Sequence, residues 1–371
     1  MPIPLKVVPA NEVLAATIAL ADALSAKQAV FISPPILGDV KPELEPLPKE
    51  VDDHIALIVE SSGSTGKPKR IAISRQALIH SAKMASERLG PDGQWLLALP
   101  INFIAGSQVL IRSLIANTQP IIQPSTLPFT PEAFFRFASL LTNEYKYTSL
   151  VPTQLHRLVE YVEKDASALN SIREFRAILV GGQATSPQLL KRARDMGIKV
   201  VESYGMTETA GGCVYDGIPL TGVALKIATD GRLMIQGKTL AEDQGEWLVT
   251  NDLAELEEGR LRILGRADRV LISGGLKVSL DALEHKALEV SGVADLVAVG
   301  IENQEWGERV GICYVGSPEV ADDIAAKLAT EIGAAGKPIR VIRVDQIPIL
   351  ATGKKDLLSV KKLFMRSQNE D

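Results

Sequence analysis

Residues 55–69 read Ile-Ala-Leu-Ile-Val-Glu-Ser-Ser-Gly-Ser-Thr-Gly-Lys-Pro-Lys, an apolar run that stops at a loop of small, hydroxylated and cationic residues. Ile55–Val59 has the length and composition of a buried strand. From Glu60 to Lys69 the chain packs in three serines, a threonine, two glycines and two lysines. Such a loop can wrap an anion: backbone N–H groups turn inward, hydroxyls rotate to donate, and ammonium groups neutralise charge. By itself a Gly/Ser loop is as readily a solvated turn, but this density of donors favours phosphate. A Walker loop is excluded, because Gly63 to Gly66 spans only G-x-x-G and Lys67 precedes Pro68. Proline drives the residue before it out of the helical region, so no helix can open through Lys67.

Outward from this loop, short apolar segments alternate with helical patterns. Trp95–Leu99, Tyr147–Val151, Ala177–Val180 and Lys199–Val201 read as further buried strands. Ser74 caps a helix through about Leu89, with Ala77, Leu78, Ala82, Ala85 and Leu89 on one stripe. Thr130–Pro131 and Ser186–Pro187 each join a cap to a first-turn proline, opening helices over Glu132–Leu141 and Gln188–Met196, and Gly197 stops the second. After about residue 215 the texture changes to short strands with turns at Asp230–Gly231 and Glu258–Gly259. Beyond it come a helix at Leu280–Val290, strands at Leu296–Gly300 and Gly311–Val315, and a helix at Val320–Ile332. The fold class expected is α/β: a large N-terminal α/β domain of stacked sheets and helices over residues 1–265, and a small, mobile C-terminal α+β domain over 266–371. The boundary is drawn through the charged, glycine-rich segment Gly265–Gly275.

Composition narrows the function. The 371 residues are 46% hydrophobic and 23% charged with net charge −5, a globular profile. An acidic chain with a pI near 5.6 is a poor bulk partner for nucleic acid. Two cysteines, 100 positions apart, supply neither a disulfide framework nor a zinc site. No apolar run reaches the ~18 residues of a membrane span, and the N-terminus has no signal-peptide pattern. A cytoplasmic protein is expected, with a homodimer as the default assembly.

The loop resembles the S-G-[ST]-T-G-x-P-K-G signature of the adenylate-forming enzymes, the superfamily of acyl-CoA synthetases, peptide-synthetase adenylation domains and luciferases. Arg70 stands where that family usually has glycine. The resemblance recurs in order. Ser203-Tyr-Gly-Met-Thr-Glu-Thr209 is similar to the Y-G-x-T-E motif, Gly181-Gly-Gln183 to the glycine pair beside adenine, and Trp247–Asp252 to the T-G-D segment, with Asn251 for glycine. Gly265–Asp268 resembles the G-R-x-D hinge and Ala351-Thr-Gly-Lys354 the T-G-K loop. The resemblance implies ATP binding by Ser62, Gly63, Ser64, Thr65, Gly66, Lys69, Gly182, Gln183, Tyr204, Asp252 and Arg266. Tyr204 would stack on adenine, Thr207 would bond a phosphate oxygen, Glu208 would hold Mg2+, and Asp252 and Arg266 would reach ribose. Lys354 would bridge the acid and the α-phosphate, and Asp268 would be the pivot between domains. The catalytic set is then Lys354, Thr207 and Glu208.

Within the family, Tyr204–Gly217 is similar to the run found in compact o-succinylbenzoate–CoA ligases of menaquinone synthesis, which share a shortened segment before the phosphate loop. Leu179–Gly182, Tyr147–Val151 and Ser273-Gly-Gly275 point the same way. The implied acid and CoA pocket takes in Phe103, Gly106, Ser149, Gly205, Met206 and Gly275. Phe103 sits where histidine is common, which removes any titrating imidazole there. The implied activity joins a small carboxylic acid to coenzyme A through an acyl-AMP. Another acyl- or aryl-CoA ligase and a non-catalytic nucleotide-binding module are the alternatives.

Overall fold

The computed structural model describes residues 1–36, 38, 42, 44–61, 69–349 and 355–366. Two compact units divide the chain: Met1–Leu225 with Ile235–Leu248, and Lys226–Met234 with Val249–Asp371.

The first unit opens with a five-stranded sheet of β1 (Ile3–Pro9), β2 (Ala29–Ser33), β3 (Glu50–Val51), β4 (Ile55–Ser61) and β5 (Lys69–Ser74), in the order β3-β1-β2-β4-β5. β1, β2 and β4 run parallel, and β5 returns antiparallel to β4. Helix α1 (Val13–Leu24) joins β1 to β2, and α2 (Arg75–Leu89) follows β5. The Ser74 hydroxyl accepts from the Ala77 N–H at 3.2 Å, the expected cap.

A seven-stranded sheet forms the centre of this unit: β6 (Gln94–Leu97), β7 (Ile121–Ile122), β8 (Lys146–Leu150), β9 (Phe175–Gly181), β10 (Val200–Met206), β11 (Gly211–Tyr215) and β12 (Ile218–Pro219). Its order is β12-β11-β10-β9-β8-β6-β7. Strands β6 to β10 are parallel, and β11 folds back on β10. Helix α3 (Ile104–Ile115) follows β6, and α4 (Pro131–Ala138), α5 (Pro152–Val162), α6 (Ala166–Arg173) and α7 (Pro187–Asp195) connect the later strands. One core holds apolar residues of both sheets together with α1, α2 and α3. A second packs α4 to α7 on the far side of the seven-stranded sheet, with Phe134 and Phe175 stacked at 5.8 Å. The expected stack of sheets and helices is present.

Local chemistry explains most element ends. Thr130 caps α4 through the Ala133 N–H at 3.2 Å. Ser186 precedes α7 but does not cap it; its hydroxyl donates to Gln188 Oε1 at 2.7 Å. Gly197 takes φ +78° and ends that helix.

A four-stranded sheet follows the order β13 (Ala224–Ile227), β14 (Arg232–Gln236), β15 (Leu248–Glu257), β16 (Arg260–Arg266). Glu258 and Gly259, both at positive φ, make the β15–β16 turn. The remainder of the second unit is a sheet ordered β18-β17-β20-β19, from β17 (Val270–Ser273), β18 (Leu276–Ser279), β19 (Val293–Asn303) and β20 (Gly307–Gly316), with β21 (Arg340–Arg343) beside β20. Helices α8 (Leu280–Ala287), α9 (Ala321–Ile332) and α10 (Leu357–Arg366) cover it, the first two over one core and α10 over another. No helix among the described residues is long and apolar enough to cross a membrane.

Candidate active site

The candidate residues of the first unit gather at the carboxyl ends of adjacent parallel strands. Ser149 lies near the end of β8 and pairs with Leu179 of β9. Gly181 closes β9 opposite Ser203 of β10, so Gly182, just past β9, and Tyr204, still within β10, stand at the same level. A Cβ on Gly181 would sit 2.4 Å from the Ser203 carbonyl, and Gly182 takes φ +83°, so both positions require glycine. Gln154 ties the ends of β6 and β8 together: its Oε1 accepts the Val151 N–H at 3.0 Å and its Nε2 donates to the Ala98 carbonyl at 3.0 Å. Open α/β sheets bind ligands at this edge.

Strand β10 runs further than the expected Lys199–Val201, through Tyr204 and Gly205 to Met206. Pairing with β11 extends it, with a bulge between Tyr204 and Gly205. Gly205 is pressed so close to its neighbour that a Cβ would lie 2.1 Å from the Gly211 carbonyl. Thr207–Thr209 then form a single 3-10 turn, closed by the Ala210 N–H on the Thr207 carbonyl at 3.0 Å. The Thr209 hydroxyl accepts the Met206 N–H at 2.9 Å and donates to the Gly211 carbonyl at 2.7 Å. Thr207 and Glu208 are half-buried.

The phosphate loop leaves from the other sheet. Glu60 opposes Arg70 and Ser61 opposes Lys69, so β4 and β5 are the two walls from which residues 62–68 depart. Ser62, Gly63, Ser64, Thr65 and Gly66 lie outside the described residues. Arg70 braces the wall. Its Nε donates to Glu60 at 3.3 Å, its terminal nitrogens donate to the Pro46 and Glu45 carbonyls at 2.8 and 2.7 Å, and its guanidinium covers Phe31 at 5.4 Å. Two successive amides join β5 to the Thr207–Thr209 turn. The Ala241 N–H donates to the Glu208 carbonyl at 2.8 Å, and the Glu242 N–H donates to the Ala72 carbonyl at 3.0 Å. No motif in the sequence marks this link.

Phe103 is the last residue before α3, and Gly106 lies in the helix's first turn, where a Cβ would meet the Pro100 carbonyl at 2.2 Å. That approach, made by backbone, accounts for the glycine.

In the second unit, Asp252 opposes Arg266 across β15 and β16. Arg266 grips Asp268 with two hydrogen bonds, 2.8 and 2.7 Å, and reaches Asp252 at 3.3 Å. These bonds hold the Asp268 carboxyl below the usual carboxylate range and raise the Arg266 guanidinium. The Arg266 N–H donates to Asp281 at 2.7 Å. Arg269 joins the same Asp281 and donates to Glu284 at 2.6 Å. Burial raises the Asp281 carboxyl, against the pull of Arg269. Gly274 and Gly275, at φ +56° and +81°, form a two-residue turn between β17 and β18, with Gly275 open to solvent. Lys354 lies outside the described residues. On its C-terminal side, Lys355 pairs with Ile349 and its ammonium donates to Asp295 and the Leu296 carbonyl at 2.7 and 2.6 Å.

Among the described residues no group of three or more His, Cys, Asp or Glu side chains is placed to hold a metal ion. A single half-buried carboxylate such as that of Glu208 suits Mg2+, a cation that takes most of its ligands from phosphate oxygens and water.

Comparison with known proteins fits this arrangement. A family profile described as AMP-binding enzyme matches residues 5–251, and one described as AMP-binding enzyme C-terminal domain matches residues 282–354. A probable 2-succinylbenzoate–CoA ligase of Mycobacterium tuberculosis is 35% identical over 334 residues, 85% of this chain and 86% of that protein. Among solved structures, the amide bond synthetase of Marinactinospora thermotolerans superposes with a TM-score of 0.75 at 22% identity, covering 97% of this chain and 80% of its own. The o-succinylbenzoate CoA synthetase of Bacillus subtilis, solved with its acyl-adenylate intermediate, superposes with a TM-score of 0.70 at 23% identity, covering 93% and 81%. Both share the fold.

Proposed function

The chain is a member of the AMP-binding enzyme family, and from that membership we propose that it is an acid–thiol ligase joining o-succinylbenzoate to coenzyme A at the expense of ATP, with release of AMP and pyrophosphate. The observation that supports the reading is a tether between strand β5 and the Thr207–Thr209 turn: Ala241 and Glu242 bond Glu208 and Ala72 in succession, which favours one site served by both motifs. The 35% identity to the mycobacterial ligase supports the choice of acid.

In the proposed chemistry a carboxylate oxygen bonds the α-phosphorus in line as pyrophosphate departs. The obstacle is bringing two anions together. Lys69, Lys354 and the loop N–H groups offset that repulsion and stabilise charge as it develops. Thr207 bonds a phosphate oxygen, and Glu208 would hold Mg2+, which would supply charge neutralisation to the phosphates when bound. Tyr204 stacks on adenine beside Gly182 and Gln183, while Asp252 and Arg266 take the ribose hydroxyls. The thiol sulfur of coenzyme A then bonds the acyl carbon, AMP leaves with the bonding pair, and the thiol proton passes to solvent. Phe103 supplies no base for it. Phe103, Gly106, Ser149, Gly205, Met206 and Gly275 are proposed to border the acid and thiol path. Both steps share one cleft, so residues 266–371 are proposed to swing about Asp268 between them. The enzyme is proposed to work in the cytoplasm.

The experiment is AMP release with a panel of acids. o-Succinylbenzoate is expected to give the highest kcat/KM. A fatty or aryl acid ahead by orders of magnitude would move the assignment to another acyl- or aryl-CoA ligase. ATP binding without acid-dependent AMP release would leave a nucleotide-binding module. For the machinery, Lys354→Ala is expected to abolish acid-dependent pyrophosphate exchange and to spare thioester formation from preformed acyl-AMP; equal loss of both removes Lys354 from the first step.

A further inference from the structure

We propose that Gln108 and Ser81 are positioning residues that set where Thr207 and Glu208 stand by gripping the carbonyl of Ala210; the proposal rests on the reading of Thr207 and Glu208 as adenylation groups. Ala210 ends the 3-10 turn in the left-handed region at φ +51°, which a non-glycine residue adopts at a cost, and is fully buried. Its carbonyl receives the Ser81 hydroxyl of α2 at 2.9 Å and the Gln108 amide nitrogen of α3 at 2.7 Å. Both side chains are buried, at 0% and 1% exposure. The Glu208 carbonyl, two residues earlier, is held by Ala241. The peptide units on either side of the Glu208–Ala210 segment are therefore fixed from two directions.

Gln108 is an odd choice if stability alone mattered. Among the described residues its Oε1 has no hydrogen-bond partner, and a buried unpaired carbonyl is unfavourable. Ser81 already satisfies the Ala210 carbonyl. A methionine of similar length at 108 would remove the orphan oxygen and keep an apolar stem beside Gly211. What it would lose is a directional second bond on the turn. Groups that orient a ligating side chain commonly affect activity or metal affinity by about 10–100-fold when removed.

The test is Gln108→Met, with Ser81→Ala as a second variant on the same carbonyl. Acid-dependent pyrophosphate exchange is followed across an Mg2+ titration, thioester formation from synthetic acyl-AMP in parallel, and Tm alongside. For Gln108→Met the exchange rate is expected to fall by about 10–100-fold. The half-saturating Mg2+ concentration should rise, while Tm and thioester formation are retained. Ser81→Ala should show the same selective loss of exchange. Unchanged exchange and Mg2+ dependence in both variants, or equal loss of the two half-reactions tracking Tm, overturns the proposal. Glu208→Gln separates the two levels. If it leaves Mg2+ dependence untouched, the reading of the site falls and this inference with it; if it abolishes exchange while Gln108→Met does not, only the inference falls.

Discussion

The Arg266 guanidinium holds Asp268 by two parallel hydrogen bonds, at 2.8 and 2.7 Å, while its remaining edge reaches Asp252. The proposed pivot is thus tied, in this state, to the proposed ribose acceptor through one arginine.

The pair has a definite pH signature. Hydrogen bonding from Arg266 depresses the Asp268 carboxyl, so its stabilisation is present above the unfolded value, near 3.9, and is lost as pH falls through the lower folded value. Asp268 and Arg266 are 31% and 40% exposed, so solvent screening limits the pair to about 1 kcal/mol at most. Urea unfolding of the wild type and Asp268→Asn should therefore differ at pH 7, and the difference should shrink as pH falls below about 4 and through the lower folded value. A difference that persists to pH 2 would show that the carboxylate charge is not what Arg266 holds.

Arg70→Gly restores the residue usual in the family. It removes the donors to Glu60 and to the Pro46 and Glu45 carbonyls, and uncovers Phe31. A loss of about 1–3 kcal/mol is expected for a part-buried charged hydrogen-bonded side chain, read as a lower urea midpoint. KM for ATP should rise, because β5 is one wall of the phosphate loop. An unchanged midpoint would mean the arginine is dispensable to the wall.

Gly205→Ala places a methyl 2.1 Å from the Gly211 carbonyl. The β10–β11 pair must part, at about 1–3 kcal/mol, and the turn that follows moves with it. Calorimetry should give a lower Tm, with adenylation lost at temperatures where the variant is still folded. Wild-type Tm and activity would refute the close approach.

Burial pushes the Cys213 thiol up to about 12 and the Cys313 thiol up to about 11, and thiolate is the reactive species. Iodoacetamide at pH 8 should leave the native protein unmodified and add two groups in urea, counted by intact mass. Rapid native labelling at either position would contradict their burial.

The sequence marked the ends of elements more clearly than it marked the scaffold between them. Glycine, proline and hydroxyl chemistry is local, so the Ser74 and Thr130 caps, the Glu258–Gly259 turn and the phosphate-loop strand were all legible. Strand β10 was cut short because Ser-Tyr-Gly-Met has no clear alternation; a non-local partner, β11, makes it a strand. Helix α3 was not anticipated; the sequence marked only Phe103 and Gly106, at its start, as pocket candidates. Gln108 within the apolar run Ile104–Ile115 was the available sign of a buried polar contact, but its partner, Ala210, lies 102 residues away. The β1-α1-β2 opening and helix α10 were not anticipated, since each is stabilised by packing more than by its own pattern.

Ala241 and Glu242 have a practical bearing on engineering. Adjacent amides serve two different carbonyls, so the spacing of the stretch 236–246 is fixed by its backbone, whatever its side chains. Point substitutions at its exposed positions can be absorbed, unlike those at the buried Thr239 and Ala241, whereas adding or deleting a residue beside the two amides displaces both anchor points together. Chimaeras with relatives should therefore exchange this stretch only at equal length.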